Sequence, residues 1–242
     1  MTDENEKIST LIDALEHPDK LVIRRAVDAL IEFAGRQREV AATLNQLLAD
    51  TRRKNLWPIA YILANLPSPS QTVLKVLMDT LGSHDSDVRW AVALLLIRLA
   101  KTDPQLVSHF LELLSKGTAI QRRMAIYCLR DLGLEDDVSL QELLTSLHDS
   151  DPMVRVAAVI SLKSRRGCNA EGKNSLMKLF LEDPDSRVRN VAAVTLAQLG
   201  WNSEEFRQAL AGASQSDNAP ERKAASVALA LLQKKRSAPS GS

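Results

Sequence analysis

The chain has 242 residues, of which 45% are hydrophobic and 25% are charged, with nine glycines and nine prolines. This composition is typical of a helical globular protein. The formal net charge is +1, so the chain has no strong overall field that would concentrate nucleic acid or an anionic membrane around it. The polar amino terminus does not resemble a signal peptide, and no segment is apolar enough to predict a membrane span. We therefore expect a cytoplasmic protein without membrane insertion.

One sequence pattern returns every 33 or 34 residues along the chain. Its reference position, here called the slot, is filled in turn by Ile23, Leu56, Arg89, Arg122, Arg155, Arg189 and Arg222. A fixed period of this length predicts a stacked array of about seven two-helix repeats. We therefore predict an all-α fold, an alpha-alpha superhelix, as a single solenoid over residues 8–233. A polar segment, 1–7, precedes it, and the polar residues 234–242 predict a disordered tail.

Each repeat carries two apolar stripes of helical spacing. Residues twelve and eight positions before the slot lie on one face of a first helix, A, and residues three and seven positions after it lie on one face of a second helix, B. Between A and B, the position four before the slot is Asp19, Asp85, Asp151 or Asp185 in four repeats. These residues predict N-caps of the B helices, whereas Arg52 breaks the pattern in the second repeat. We predict that the recurring slot arginines are architectural.

The units that contain Asp, then Val-Arg, then Ala and Leu resemble HEAT repeats. Residues Asp151, Val154, Arg155, Ala158 and Leu162 carry the pattern in full, and so does the unit from Asp185 to Leu196. The short period is similar to the HEAT-like repeats named after phycobilisome lyases. The resemblance implies an interaction scaffold whose B helices line the inner, concave face. The resemblance is weakest at Ile23 and Leu56, which occupy the arginine position, and at Trp57-Pro58. We predict that the second repeat is still helical but locally reshaped.

The B-helix face opposite the buried stripe is the candidate binding surface. It comprises the positions one, five and eight after the slot, and these are unusually apolar for an exposed face. Tryptophan, tyrosine and arginine are the residue types enriched at binding hot spots. We predict a partner-binding groove formed by Trp57, Tyr61, Trp90, Leu94, Ile97 and Tyr127, edged by Arg24, Arg123 and Arg130. The alternative is that neighbouring helices cover these side chains.

Catalytic and metal-binding patterns are weak in this sequence. The four histidines form no His-Glu motif, so the metal site of HEAT-like hydroxylases, which use such motifs, has no counterpart. Cys128 falls on the core side of a B helix, and Cys168 lies in a polar loop without a histidine near it in sequence. The sequence therefore predicts no catalytic residue, no metal site and no cofactor.

Three functions fit these observations. The first is a non-catalytic scaffold or adaptor that binds a protein segment or subunit on the concave face. The second, implied by the short repeat form, is a bilin (chromophore) lyase or a lyase-like chaperone subunit. The third is a DNA-binding protein similar to HEAT-like glycosylases, which the near-neutral charge and the aromatic content of 4% disfavour. We favour the scaffold.

Overall fold

The computed structural model describes residues 2–50, 52–53, 55–134, 136–163 and 170–237. Within these residues the regular structure is helical, and the α-helices fall into seven pairs in the predicted register. The A helices are α1 (Thr2–Asp13), α3 (Arg38–Leu48), α5 (Gln71–Thr80), α7 (Leu106–Lys116), α9 (Asp137–Ser146), α11 (Ala170–Glu182) and α13 (Glu204–Ala213). The B helices are α2 (Lys20–Arg36), α4 (Trp57–Ala64), α6 (Ser86–Ala100), α8 (Ala119–Leu132), α10 (Pro152–Lys163), α12 (Ser186–Gln198) and α14 (Ala219–Ser237). The predicted all-α repeat fold of the solenoid class is confirmed.

The chain divides into two compact units, and each is described by itself. The first unit, Met1–Asp103, holds the first three repeats, and the second, Pro104–Ser242, holds the other four. In the first unit, α2 packs on α4 and α4 packs on α6. In the second unit, α8 packs on α10, α10 on α12, and α12 on α14. The B helices thus form one continuous layer within each unit.

The core follows the apolar stripes predicted from the repeat. Three residues after the slot, small and branched side chains such as Ala158 and Val92 are fully buried. Seven residues after the slot, the leucines are buried in the first six repeats, at Leu30, Leu63, Leu96, Leu129, Leu162 and Leu196. Small side chains let adjacent helices approach closely, and the leucines fill the space behind them.

The predicted aspartate caps are confirmed. Asp19, Asp85 and Asp185 accept hydrogen bonds from backbone amides in the first turns of α2, α6 and α12. The Asp151 carboxylate accepts one from the Met153 amide at 2.7 Å, at the start of α10. These bonds satisfy amides that have no partner inside the helix and fix where each B helix begins.

The helix α4 is reshaped, as predicted for the second repeat. It begins at Trp57, one residue after the slot, whereas α2 and α6 begin three residues before it. The cap position is occupied by Arg52, whose guanidinium pairs with Asp50 at 2.8 Å and cannot accept an amide hydrogen. Leu56, the residue before the helix, has no side chain that could cap it. Pro58 fits within the first turn, because amide hydrogens there have no partner inside the helix and proline has none. Without the capping carboxylate, α4 lacks one turn.

Helices reach further towards both ends of the chain than we predicted. The segment 1–7, predicted as a polar lead-in, belongs to α1 from Thr2 onwards. At the other end, α14 continues to Ser237, through residues that we had placed in a disordered tail. Lysine and glutamine are good helix formers, and cations stabilise the last turn of a helix. Residues 238–242 lie outside the described residues, as do residues 164–169, in which we predicted a loop with Cys168. No helix in the described part of the chain is long and apolar enough to cross a membrane.

Candidate functional site

A pocket of about 710 Å³ lies among the three B helices of the first unit. Its walls come from the outer faces of α2, α4 and α6. The lining residues are Lys20, Leu21, Ile23, Arg24, Val27 and Asp28 from α2, Trp57 and Tyr61 from α4, and Asp87, Val88, Ala91 and Leu94 from α6. This volume falls within the range of ligand pockets and is also large enough for several side chains of a protein partner.

The shortened α4 explains why a pocket forms here. The first-turn residues of α2 and α6 line the pocket, but α4 supplies no equivalent turn between them. Lys20 reaches across this gap from the first repeat to the third. Its ammonium lies 2.6 Å from the Asp85 carboxylate and 3.1 Å from that of Asp87. The pocket therefore has an ion pair at one end, formed between repeats that are not adjacent in sequence.

Apolar side chains make up most of the pocket surface. Ile23, Val27 and Val88 are buried and form its base. The rings of Trp57 and Tyr61 pack edge to face, with centroids 6.4 Å apart, and both side chains are partly exposed. Leu94, on the opposite wall, is 62% exposed. The edge-to-face pair presents a large aromatic surface. Burial of the adjacent leucine by a partner would remove apolar surface from water, which favours binding.

Charges surround the apolar surface, and only some of them are compensated. Hydrogen bonds with Asp85 and Asp87 raise the pKa of Lys20, and the hydrogen bond with Lys20 lowers the pKa of Asp85. Arg24 and Asp28, one turn apart on α2, make no ion pair with any residue in the described ranges. Considering only the residues that the structure describes, the pocket thus offers one unpaired cation, Arg24, and one unpaired anion, Asp28, beside its aromatic pair.

Four of the predicted groove residues line this pocket. They are Arg24, Trp57, Tyr61 and Leu94. Trp90 lies on α6 and is 38% exposed, outside the lining of the pocket. These positions follow from the helical face predicted for the B helices.

Ile97 occupies a different environment from the one we predicted. It is only 6% exposed and belongs to the core of the first unit. Ala64, at the equivalent position of α4, is also buried. The burial of the position eight after the slot differs between repeats, since Lys163 at this position on α10 is exposed. The prediction that this position faces outwards is therefore wrong at Ile97.

The remaining predicted residues lie on α8, in the second unit. The Arg130 guanidinium lies 5.0 Å from the centre of the Tyr127 ring and pairs with Asp131 at 2.6 Å. Arg123 is half-buried on the same helix, one turn before Tyr127. These three residues form a second patch, separate from the lining of the pocket.

Sequence reasoning missed the first-turn residues of the pocket. Leu21 is 62% exposed, and both it and Asp87 stand two positions before their slots. Seven residues, or nearly two helical turns, separate this position from the one that holds Asp28 and Leu94. The same helical face therefore extends back to Leu21 and Asp87, and this extension could have been found from the repeat register.

The slot arginines lie at the repeat junctions. Arg155 donates from Nη1 to the Asp149 carbonyl at 2.7 Å and pairs with Asp183, in the next turn between A and B helices, through two bonds of 2.8 Å. Arg122 donates in the same way to the Gly117 carbonyl and to Asp149. Each arginine therefore ties its own turn to the turn of the following repeat. The predicted architectural role is confirmed for these two residues.

Groups that could support catalysis or metal binding are sparse in the described part of the chain. Burial raises the pKa of the Cys128 thiol to about 12, so this cysteine stays protonated and unreactive at neutral pH. No group of three or more His, Cys, Asp or Glu side chains with metal-binding geometry occurs among the described residues.

Residues 140–230 match the family model for HEAT repeats. The matched segment contains the slots Arg155, Arg189 and Arg222, and the earlier repeats continue the same register. This segment of the chain consists of HEAT repeats. No curated protein sequence is significantly similar to it.

Solved structures include several similar repeat proteins. A mutant of Kap121p is similar to this protein over 93% of the present chain and 29% of the Kap121p chain, with a TM-score of 0.61 and 13% identity. Human deoxyhypusine hydroxylase in complex with glycerol has a TM-score of 0.42 and 17% identity, over 94% of this chain and 84% of that one. A designed armadillo repeat protein in complex with the peptide (KR)4 has a TM-score of 0.42 and 16% identity, over 93% and 99%. The likeness to Kap121p supports the fold alone.

Proposed function

We propose that this HEAT-repeat protein is a non-catalytic scaffold that binds a protein segment in the pocket among α2, α4 and α6. The observation that carries the proposal is the exposed apolar wall of Leu21 and Leu94, each 62% exposed, beside the Trp57–Tyr61 pair. Large exposed apolar side chains grouped around a concavity are typical of protein-binding sites. Trp90, on the exposed face of α6, extends the proposed surface beyond the pocket.

The charged residues favour a peptide over a pigment as the occupant. A peptide offers amide hydrogens, carbonyl oxygens and side chains of both signs, which suit the free Arg24 and Asp28. A tetrapyrrole with propionate groups would meet the Asp28 and Asp87 carboxylates along with the cations, and carboxylates repel each other at close range. The bilin-lyase function therefore gains no support from this pocket.

The experiment compares surface variants in affinity capture from a native lysate. Leu21→Asp and Leu94→Asp place a charge on the pocket wall at positions that are already mostly exposed, so folding is expected to be retained. The matched control is Leu181→Asp, because Leu181 is 45% exposed on α11 in the second unit. We expect the wild type and the control to capture one protein that neither pocket variant captures. That protein, once purified, is expected to bind the purified wild type directly.

Two outcomes would count against the scaffold. Equal capture by all variants would show that the pocket is not the binding surface. A visible-absorbing pigment that copurifies with the wild type and is lost from Leu94→Asp would favour the lyase-type function instead. Melting temperatures of all variants, measured in parallel, separate lost binding from lost folding.

A further inference from the structure

The B helices of the second unit carry an unusual distribution of charge. Neither α10 nor α12 contains an aspartate or a glutamate, and α8 and α14 contain one acidic residue each. Both of these are paired: Asp131 with Arg130 at 2.6 Å and Glu221 with Arg189 at 3.7 Å. The outward face of this helix layer therefore holds no uncompensated carboxylate among the described residues.

Three cations on the same face have no ion-pair partner among the described residues. Arg123 lies one position after its slot on α8, Lys223 lies at the equivalent position on α14, and Lys163 lies eight positions after the slot on α10. At 100 degrees per residue, the positions one and eight after the slot are about 20 degrees apart on a helix. Lys163 and Lys223 are exposed and Arg123 is half-buried. None of the three makes an ion pair with a residue that the structure describes.

An apolar row runs between these cations. The position five after the slot is Tyr127 on α8, Ile160 on α10, Val194 on α12 and Val227 on α14. The first three are partly exposed, and Val227 is 41% exposed. Because consecutive B helices pack on each other, and packed helices lie about 8–10 Å apart, the row repeats at about that spacing across the layer.

We propose that this basic and apolar face of the second unit binds an acidic amphipathic protein segment. Its carboxylates would pair with Arg123, Lys163 and Lys223, and its apolar side chains would cover the row from Tyr127 to Val227. The aliphatic residues favour a protein over nucleic acid, because bases stack on aromatic rings and Tyr127 is the only aromatic residue in the row. This surface does not depend on the pocket of the first unit.

The length of the segment follows from the spacing of the helices. Four B helices at about 10 Å centre to centre span about 30 Å, which a helical peptide of about 20 residues covers. The probe is a synthetic peptide of that length with glutamates around leucines. Two further peptides serve as comparisons, one with lysine in place of glutamate and one with serine in place of leucine. Binding to the full chain is measured by fluorescence anisotropy at two salt concentrations.

Charge reversal tests the electrostatic part of the proposal. In the triple variant Arg123→Glu, Lys163→Glu and Lys223→Glu, we expect the acidic leucine peptide to bind about tenfold more weakly or worse. The matched control reverses three exposed cations on A helices, Arg38→Glu, Lys75→Glu and Lys178→Glu. It changes the net charge equally, and we expect less than about a twofold effect, since these residues stand on A helices and none of them belongs to the B-helix face.

A neutral substitution tests the apolar row. Val227→Ser is expected to weaken binding of the acidic leucine peptide severalfold, whereas Val138→Ser, at a 59% exposed valine on α9, leaves it unchanged. The serine-containing peptide is expected to bind poorly to every variant, and the lysine-containing peptide is expected not to bind the wild type.

Three results would overturn the proposal. One is equal binding by the charge-reversed and control triple variants. Another is a wild type that binds duplex DNA or anionic vesicles more tightly than the acidic peptide and loses that binding in the triple variant. The third is no preference for leucine over serine in the peptide. The two proposals can be tested separately. Leu94→Asp is expected to abolish capture at the pocket and to leave binding of the acidic peptide unchanged, whereas the charge-reversed triple variant is expected to lose peptide binding and to retain capture.

Discussion

At the scale of single residues, buried ion pairs join the repeats. Arg155 and Asp183 have side-chain exposures of 10% and 2%, and they form a two-bond pair. Replacing one partner of a buried pair leaves the other charge without compensation, and this typically costs about 3 kcal/mol or more. We expect Asp183→Ala to lower the free energy of unfolding by about that amount in urea titrations.

The control for this prediction is an ion pair on the surface. Arg187 pairs with Asp185 at 2.6 Å, but its side chain is 60% exposed. Water and salt screen such a pair, so Arg187→Ala is expected to change stability little. Equal losses from Asp183→Ala and Arg187→Ala would contradict the idea that burial makes the Arg155 pair important.

Asp149 makes the stability of the second unit depend on pH. Burial raises its pKa, but the hydrogen bond from Arg122 and the bond from the Asp151 amide outweigh that effect, so the pKa is lowered overall. A lowered pKa in the folded state means that the unfolded state binds the proton more readily. Asp149 therefore stabilises the fold fully above the unfolded value of about 4, and this contribution is lost as pH falls through the lower folded pKa.

The measurement is urea unfolding of the wild type and Asp149→Asn at several values from about pH 6 to about pH 3. We expect the wild type to be more stable near pH 6 and the difference to shrink as the solution is acidified below about pH 4. A difference that stays constant over this range would show that Asp149 acts through packing and not through its charge.

At the scale of helices, capping residues determine where the B helices begin. Thr118 and Gln121 form a reciprocal capping box at the start of α8. We expect Thr118→Ala to destabilise the protein by about 1 kcal/mol in urea titrations, because an amide of the first turn loses its acceptor. Ser115→Ala is the control, since the Ser115 hydroxyl only donates to the Glu112 carbonyl within α7. A similar loss from both variants would argue against the capping box.

The repeat register predicted most helix boundaries, and its failures have identifiable causes. The aspartates before α2, α6, α10 and α12 are visible in the sequence, and each caps its helix. The length of α4 was less predictable, because Arg52 indicates that the aspartate cap is missing but does not indicate at which later residue the helix begins. Ile97 was misplaced because the position eight after the slot is buried in some repeats, as at Ile97, and exposed in others, as at Lys163, and a single helical face does not distinguish the two.

At the scale of the whole molecule, the sequence predicted the repeat fold and the exposed face of its B helices. It did not predict which charges on that face are compensated. Whether Asp131 pairs with Arg130, or Lys163 lacks an ion-pair partner among the described residues, depends on side-chain geometry across one or more turns. The candidate surfaces therefore required the structure, although every residue in them occupies a position that the repeat register defines.

The contact of Lys20 with Asp85 and Asp87 bears on how the first unit unfolds. In a regular array each repeat contacts only its neighbours, and stability is a sum of repeat and interface contributions that lets end repeats unfold first. Lys20 instead joins the first repeat to the third across the short α4. Because 58% of the Lys20 side chain is exposed, water and salt screen this contact as they screen the Arg187–Asp185 pair, and its protection of the first repeat is small. We therefore expect Lys20→Met to speed the exchange of first-turn amides of α2 with solvent deuterium only slightly, so that the first repeat unfolds from the end of the array in both proteins.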